Sequence, residues 1–121
     1  MYRVGVDIGS VSVNLVVLDR DGNIVTEGYL RHKGRPFEIA REALEGVSKE
    51  YGIDFIATTG TGAKSFAPLI GASFVNEIVA LARGFSYLYP HVRSVLDIGG
   101  EDSKLIIFEK GNGETKLRVK D

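Results

Sequence analysis

The 121-residue sequence contains no cysteine. That absence excludes disulfides, a thiol nucleophile and any iron–sulfur cluster held by the chain's own thiolates. Net charge is nearly absent too: Lys and Arg total 15 and Asp and Glu 16, giving −1. No general affinity for nucleic acid or other polyanions is therefore expected. No apolar run approaches the roughly 20 residues of a membrane-spanning helix. The start, Met1-Tyr2-Arg3-Val4, enters a strand pattern directly and has none of the features of a secretory leader. With 44% hydrophobic and 26% charged residues, the chain reads as one small globular domain or part of a larger one. Its expected place is the cytoplasm, with no nucleic-acid or membrane partner.

What is present is a pattern used twice. Val4-Gly5-Val6-Asp7-Ile8-Gly9-Ser10 is echoed by Ser94-Val95-Leu96-Asp97-Ile98-Gly99-Gly100. Each is an apolar run ending in Asp-Ile-Gly plus a small residue. Each continues at the same spacing into a second apolar run, Leu15 to Leu18 and Leu105 to Phe108, and then reaches a turn signal, Asp21-Gly22 and Asn112-Gly113. This predicts a duplicated β-hairpin whose turn carries a carboxylate and glycines. Gly9, Gly99 and Gly100 are expected to supply positive φ angles and to leave room for a ligand. Consecutive backbone N–H groups in such a turn form a concave anion site, and Ser10 and Ser103 add hydroxyl donors. Asp7 and Asp97 would repel phosphate directly, but each can hold Mg²⁺ through water, and the metal then bridges to phosphate oxygens. Lys104 can pair with a phosphate, and Glu101 or Asp102 can order metal-bound water. Two such turns together suit a polyphosphate; either alone is an ordinary hairpin turn.

The remaining pattern predicts an α/β fold. Residues Tyr2 to Asp7, Val11 to Asp19 and Ile24 to Leu30 read as strands, with a turn at Arg20-Asp21-Gly22-Asn23. The continuous apolar run Leu15 to Leu18 predicts a strand covered on both faces. Arg31, His32, Lys33 and Arg35 form a basic loop, read as solvated. Pro36 opens a helix with Phe37, Ala40, Ala43, Leu44, Val47 and Tyr51 on one face, which Gly52 ends. Ile53 to Thr58 is a fourth strand. Thr58-Thr59-Gly60-Thr61-Gly62 follows as a loop and is not a P-loop, because no glycine directly precedes Lys64. Ala63 to Ile70 reads as a short helix and Ala72 to Val75 as a short strand. Asn76 is placed to cap a helix that is apolar on more than one face, so it is expected to be buried between elements; Pro90 stops it. Val95 to Asp97, Lys104 to Glu109 and Thr115 to Val119 are three further strands, with no later helix to cover them.

Asp97-Ile98-Gly99-Gly100-Glu101-Asp102-Ser103-Lys104, together with Ala82-Arg83-Gly84, resembles the BadF/BadG/BcrA/BcrD ATPase family, which includes the activators of 2-hydroxyacyl-CoA dehydratases. That family usually has Gln where Glu101 stands. It also carries a Thr-Gly-Tyr-Gly-Arg pattern at Thr59 to Ala63, from which Thr61 and Ala63 depart. More broadly, the chain is similar to the actin, Hsp70 and sugar-kinase superfamily. The resemblance implies a ribonuclease H-like (actin-like ATPase) lobe with a mixed sheet over residues 1–91. It implies the first strands of a second, similar lobe over residues 92–121. It further implies ATP and Mg²⁺ as ligands, with the first-to-fourth strand pairing parallel, and Glu77 at the head of the linking helix, where relatives use a Glu to position the attacking water. Dehydratase activators hold a [4Fe–4S] cluster between two subunits, with the first cysteine shortly after the position matching Asp121. The expectation is thus a piece of a longer homo-oligomeric activator, partnered by an acyl-CoA dehydratase or reductase component, with the cluster possible only in the intact protein. The other readings are a fragment of an N-acetylglucosamine-type sugar kinase, for which no Asp base stands out, and a non-catalytic nucleotide-binding regulatory module.

Overall fold

Val4, Val6 and Ile8, fully buried, alternate with Arg3, Gly5 and Asp7 in β1 (Tyr2–Ile8), and Tyr2 at its start packs half-buried on the same face as Val4. Side chains two apart share a sheet face, so this strand has a core face and an open face. β2 (Ser12–Leu18) repeats the pattern with Val13, Leu15 and Val17 buried. The computed structural model describes the backbone of residues 1–98, 103–111 and 114–120, and the side chains of residues 1–98 and 103–108. The chain divides into two units, Met1–Asn76 and Glu77–Asp121.

The first unit holds a five-stranded mixed sheet in the order β3-β2-β1-β4-β5. β3 is Ile24–Arg31, β4 is Ile53–Gly60 and β5 is Ser73–Phe74. β1 and β2 form an antiparallel hairpin, and β4 lies parallel to β1. Parallel neighbours need a crossover, which α1 (Pro36–Glu50) supplies. The apolar stripe of α1 buries Ala40 and Leu44 against the core face, where Phe66 of α2 (Ala63–Ile70) joins them. The rings of Phe37 and Phe66 meet at 5.2 Å. Both helices cover the same face. Asn14, Val16 and Leu18 of β2 are only half-buried on the other, so the expected cover on both faces of this strand is not seen within the unit.

The end of α1 also differs from expectation. Tyr51 turns extended and its N–H donates to Val47 O at 2.9 Å. Gly52 keeps an ordinary φ and instead accepts the Tyr2 N–H at 2.9 Å, pinning the helix end to the start of the central strand.

The β2–β3 turn is organised by Asp19. Its Oδ1 accepts the N–H groups of Asp21 and Asn23, each at 2.9 Å, and Gly22 takes φ +84°. The Asn23 N–H, foremost among these donors, holds the Asp19 carboxyl below the usual aspartate range. A lowered folded-state value means the turn gains stability above the ordinary aspartate pKa, near 3.9, and loses it as pH falls through the lowered value. Asp19→Ala should therefore lower the melting temperature at pH 7, and the gap to the parent protein should close as acidification takes the pH through the lowered folded-state value.

In the second unit α3 (Glu77–Leu88) precedes a three-stranded antiparallel sheet of β6 (Ser94–Ile98), β7 (Ser103–Gly111) and β8 (Glu114–Lys120). Ala82 packs with Val95, Ile106 and Phe108. This corrects the expectation of an uncovered sheet: the helix comes before the strands rather than after them. It also corrects the expected burial of this helix, since only Ala82 is fully buried while Val79, Leu88 and Tyr89 are exposed. No helix among the described residues is long and apolar enough to cross a membrane.

Candidate functional site

The two hairpins share one register. In the first, Asp7 pairs with Asn14 and Ile8 with Val13. In the second, Asp97 pairs with Lys104 and Ile98 with Ser103. The repeat in the sequence is thus a repeat in strand pairing, with Asp7 and Asp97 at the same register position.

In the first unit Asp7 sits on the open face of the central strand. Its neighbours there are Asn14 on one side and Thr59 on the other. β4 runs two residues past its expected end and so brings Thr59 and Gly60 alongside Asp7 and Ile8. The Thr59 hydroxyl oxygen is buried without a hydrogen-bond partner. Gly60 takes φ +104°, and a Cβ there would meet the Ile8 carbonyl oxygen and lie 2.6 Å from Asp7 Oδ1. Only glycine lets β4 approach the carboxylate this closely.

The turn itself is short. Gly9 N–H donates to Ser12 O at 2.9 Å, which closes the hairpin. Gly9 does not have the positive φ expected of it. A Cβ at Gly9 would meet only Ser12 O, at 3.4 Å. Neither backbone conformation nor local packing demands a glycine there. Ser10 and Val11 are exposed, and their N–H groups make no backbone hydrogen bond among the described residues. Two successive unpaired N–H groups plus the Ser10 hydroxyl can receive an anion.

The basic loop does not act as one surface. Arg31 and Lys33 are exposed, Arg35 pairs with Glu38 at 2.9 Å, and His32 is buried. The His32 Nε2 lies 3.0 Å from Gly9 O, while Nδ1 accepts the Gly34 N–H at 3.1 Å. His32 and Gly60 both bear on the turn, and neither stood out in the sequence. A histidine in a basic run looks solvated, and a glycine in a loop looks like a turn residue.

In the second unit Asp97 and Ser103 are exposed and Lys104 is half-buried. Glu77 opens α3 in the same unit and is exposed. Gly99, Gly100, Glu101 and Asp102, expected to form the second phosphate turn, lie outside the described residues, as do Asn112 and Gly113 of the following turn. The expected site residues thus divide between the units: Asp7, Gly9 and Ser10 in the first, Glu77, Asp97, Ser103 and Lys104 in the second. Among the described residues no three metal-binding side chains cluster. A single carboxylate flanked by an amide and a hydroxyl fits Mg²⁺, which keeps most of its waters, rather than a dehydrated cage. The absence of cysteine does not fit an iron–sulfur cluster on this chain.

The model of the BadF/BadG/BcrA/BcrD ATPase family matches residues 4–117. The activator of lactoyl-CoA dehydratase from Anaerotignum propionicum is 30% identical, over 100% of this chain and 48% of its own. A subunit of benzoyl-CoA reductase from Thauera aromatica is 36% identical, over 92% of this chain and 42% of its own. The solved activator of 2-hydroxyisocaproyl-CoA dehydratase from Clostridium difficile, with bound ADPNP, superposes with a TM-score of 0.78 at 27% identity. It is matched over 100% of this chain and 46% of its own. The chain spans about half the length of the curated relatives it matches, and its fold is that of the actin-like ATPases.

Proposed function

This chain belongs to the BadF/BadG/BcrA/BcrD ATPase family, and from that premise we propose that it binds ATP with Mg²⁺ as the N-terminal part of an activating ATPase. The enzyme activated is a 2-hydroxyacyl-CoA dehydratase or a benzoyl-CoA reductase-type protein, and ATP hydrolysis by the intact activator supplies the free energy that drives low-potential electron transfer to it. The observation that carries the reading is the first turn: Ser10 and Val11 are exposed, their N–H groups make no backbone hydrogen bond among the described residues, and the strand leading into them carries Asp7 on its open face. The shared register of Asp97 in the second hairpin supports it.

Phosphoryl transfer asks the protein for positioning and charge stabilisation rather than covalent chemistry. In this reading Ser10 and Val11 donate to phosphate oxygens, and Gly9 leaves the space. From the second unit Ser103 and Lys104, with Gly99 and Gly100, donate to phosphate. Asp7 and Asp97 would hold Mg²⁺ through water, and the ion would there supply positive charge against the phosphates. Glu77 orients the attacking water. The protein works in the cytoplasm as a homo-oligomer, for which the exposed Ile24, Val25, Tyr29 and Leu30 of edge strand β3 are the candidate surface.

Isothermal titration of the chain with ATP, with and without Mg²⁺, tests the reading. Saturable one-to-one binding that strengthens with Mg²⁺ is expected. No heat of binding up to about 1 mM nucleotide, a dissociation constant worth only about 4 kcal/mol, would sink it.

A further inference from the structure

We propose that His32 is a positioning residue of the first turn: its ring holds the Gly9 carbonyl and thereby aims the Ser10 N–H at the bound phosphate. The inference rests on the reading of that turn as the nucleotide's phosphate site, and it assigns a role to a side chain that touches no ligand.

His32 follows the last residue of β3 and is 7% exposed. A buried imidazole is costly unless both nitrogens are satisfied, and here both are. The Gly34 N–H can only donate, so Nδ1 accepts it and the ring proton resides on Nε2. That Nε2–H then donates to Gly9 O at 3.0 Å. Lys33 and Gly34 take φ +49° and +80°. This tight reversal carries the Gly34 amide back over the ring, and Arg35 N–H closes it on His32 O at 2.8 Å. The backbone N–H of His32 donates to Val11 O at 3.1 Å. One residue therefore binds the carbonyls at both ends of the turn.

The consequence follows from peptide geometry. In a planar trans peptide the C=O and the next N–H point in opposite directions. Holding Gly9 O toward His32 turns the Ser10 N–H the other way. It also removes the negative end of that peptide dipole from the anion side. Without the ring, the Gly9–Ser10 peptide is free to rotate, and a carbonyl facing phosphate repels it.

The test uses the whole chain and three variants, His32→Ala, His32→Gln and His32→Asn. A glutamine amide reaches the place of Nε2; an asparagine amide reaches only that of Nδ1. Titration with Mg²⁺·ATP should show about tenfold weaker binding for His32→Ala and His32→Asn. His32→Gln should stay within about threefold of the parent, since it keeps the donor to Gly9 O. Amide NMR gives a readout independent of nucleotide: the Ser10 and Val11 resonances should shift or broaden in His32→Asn and stay near their parent positions in His32→Gln. Equal affinity for His32→Ala and the parent overturns the inference, and so does equal loss in the Gln and Asn variants at matched melting temperature. If the parent chain itself binds no nucleotide, the phosphate-site reading fails. The amide resonances then still decide whether His32 orders the turn, and unchanged Ser10 and Val11 signals in His32→Asn overturn that as well.

Discussion

Asp7→Asn should weaken Mg²⁺·ATP binding tenfold or more, and should at the same time strengthen binding of ATP without the metal. The two signs come from one cause. A carboxylate close to a phosphate repels it by about 1–3 kcal/mol at separations near 5 Å and effective dielectric constants between 80 and 20. An interposed hydrated Mg²⁺ turns that repulsion into attraction. Asparagine keeps the shape and removes both effects. Asp7 is half-buried on the open sheet face between Asn14 and Thr59, so the amide fits without disturbing Val4, Val6 or Ile8 on the other face. Calorimetric titrations of the parent and Asp7→Asn, each with Mg²⁺ and with EDTA, make the measurement. Parallel losses under both conditions would mean that Asp7 acts through the fold and not through a cation.

Gly60→Ala should be the most damaging single methyl group in the first unit. The added Cβ collides with the Ile8 carbonyl oxygen and lies 2.6 Å from Asp7 Oδ1, at a φ of +104° that side chains rarely adopt. Strain at such backbone angles costs about 1–3 kcal/mol, and overpacking against a neighbour that cannot yield adds about as much. Ile8 cannot yield, because β1 is paired on both sides. A loss on the order of 3 kcal/mol and a fall in melting temperature of roughly 10 °C or more are expected. Gly46→Ala in α1 is the control. A Cβ there meets nothing within 4 Å, and the change should stabilise the helix by about 0.5–1 kcal/mol. Similar melting temperatures for the two variants would contradict this account of Gly60.

The contrast between Gly9 and Gly60 shows where legibility stopped. Gly9 stands in a repeated motif and invites the inference of a left-handed turn residue, yet its φ is ordinary. Gly60 stands in a run of Thr and Gly that offers no period to read. It becomes indispensable only because β4 lies parallel to β1 in the one register that sets it beside Asp7. The second-unit sheet teaches the same lesson. Its strands were readable, but its cover, Ala82 of the preceding helix, was not, because nothing local says which face a helix will meet.

Alternation of apolar residues, two turn signals at equal spacing and one amphipathic stripe were enough to determine the α/β class, the element order and the duplicated hairpin with its acids, since each depends on neighbours within a few positions. Which glycine must be a glycine, and which base steadies the first turn, was decided by tertiary structure alone. His32 lies 23 residues from Gly9 along the chain. Only the pairing of β2 with β3 brings that imidazole beneath the carbonyl it holds.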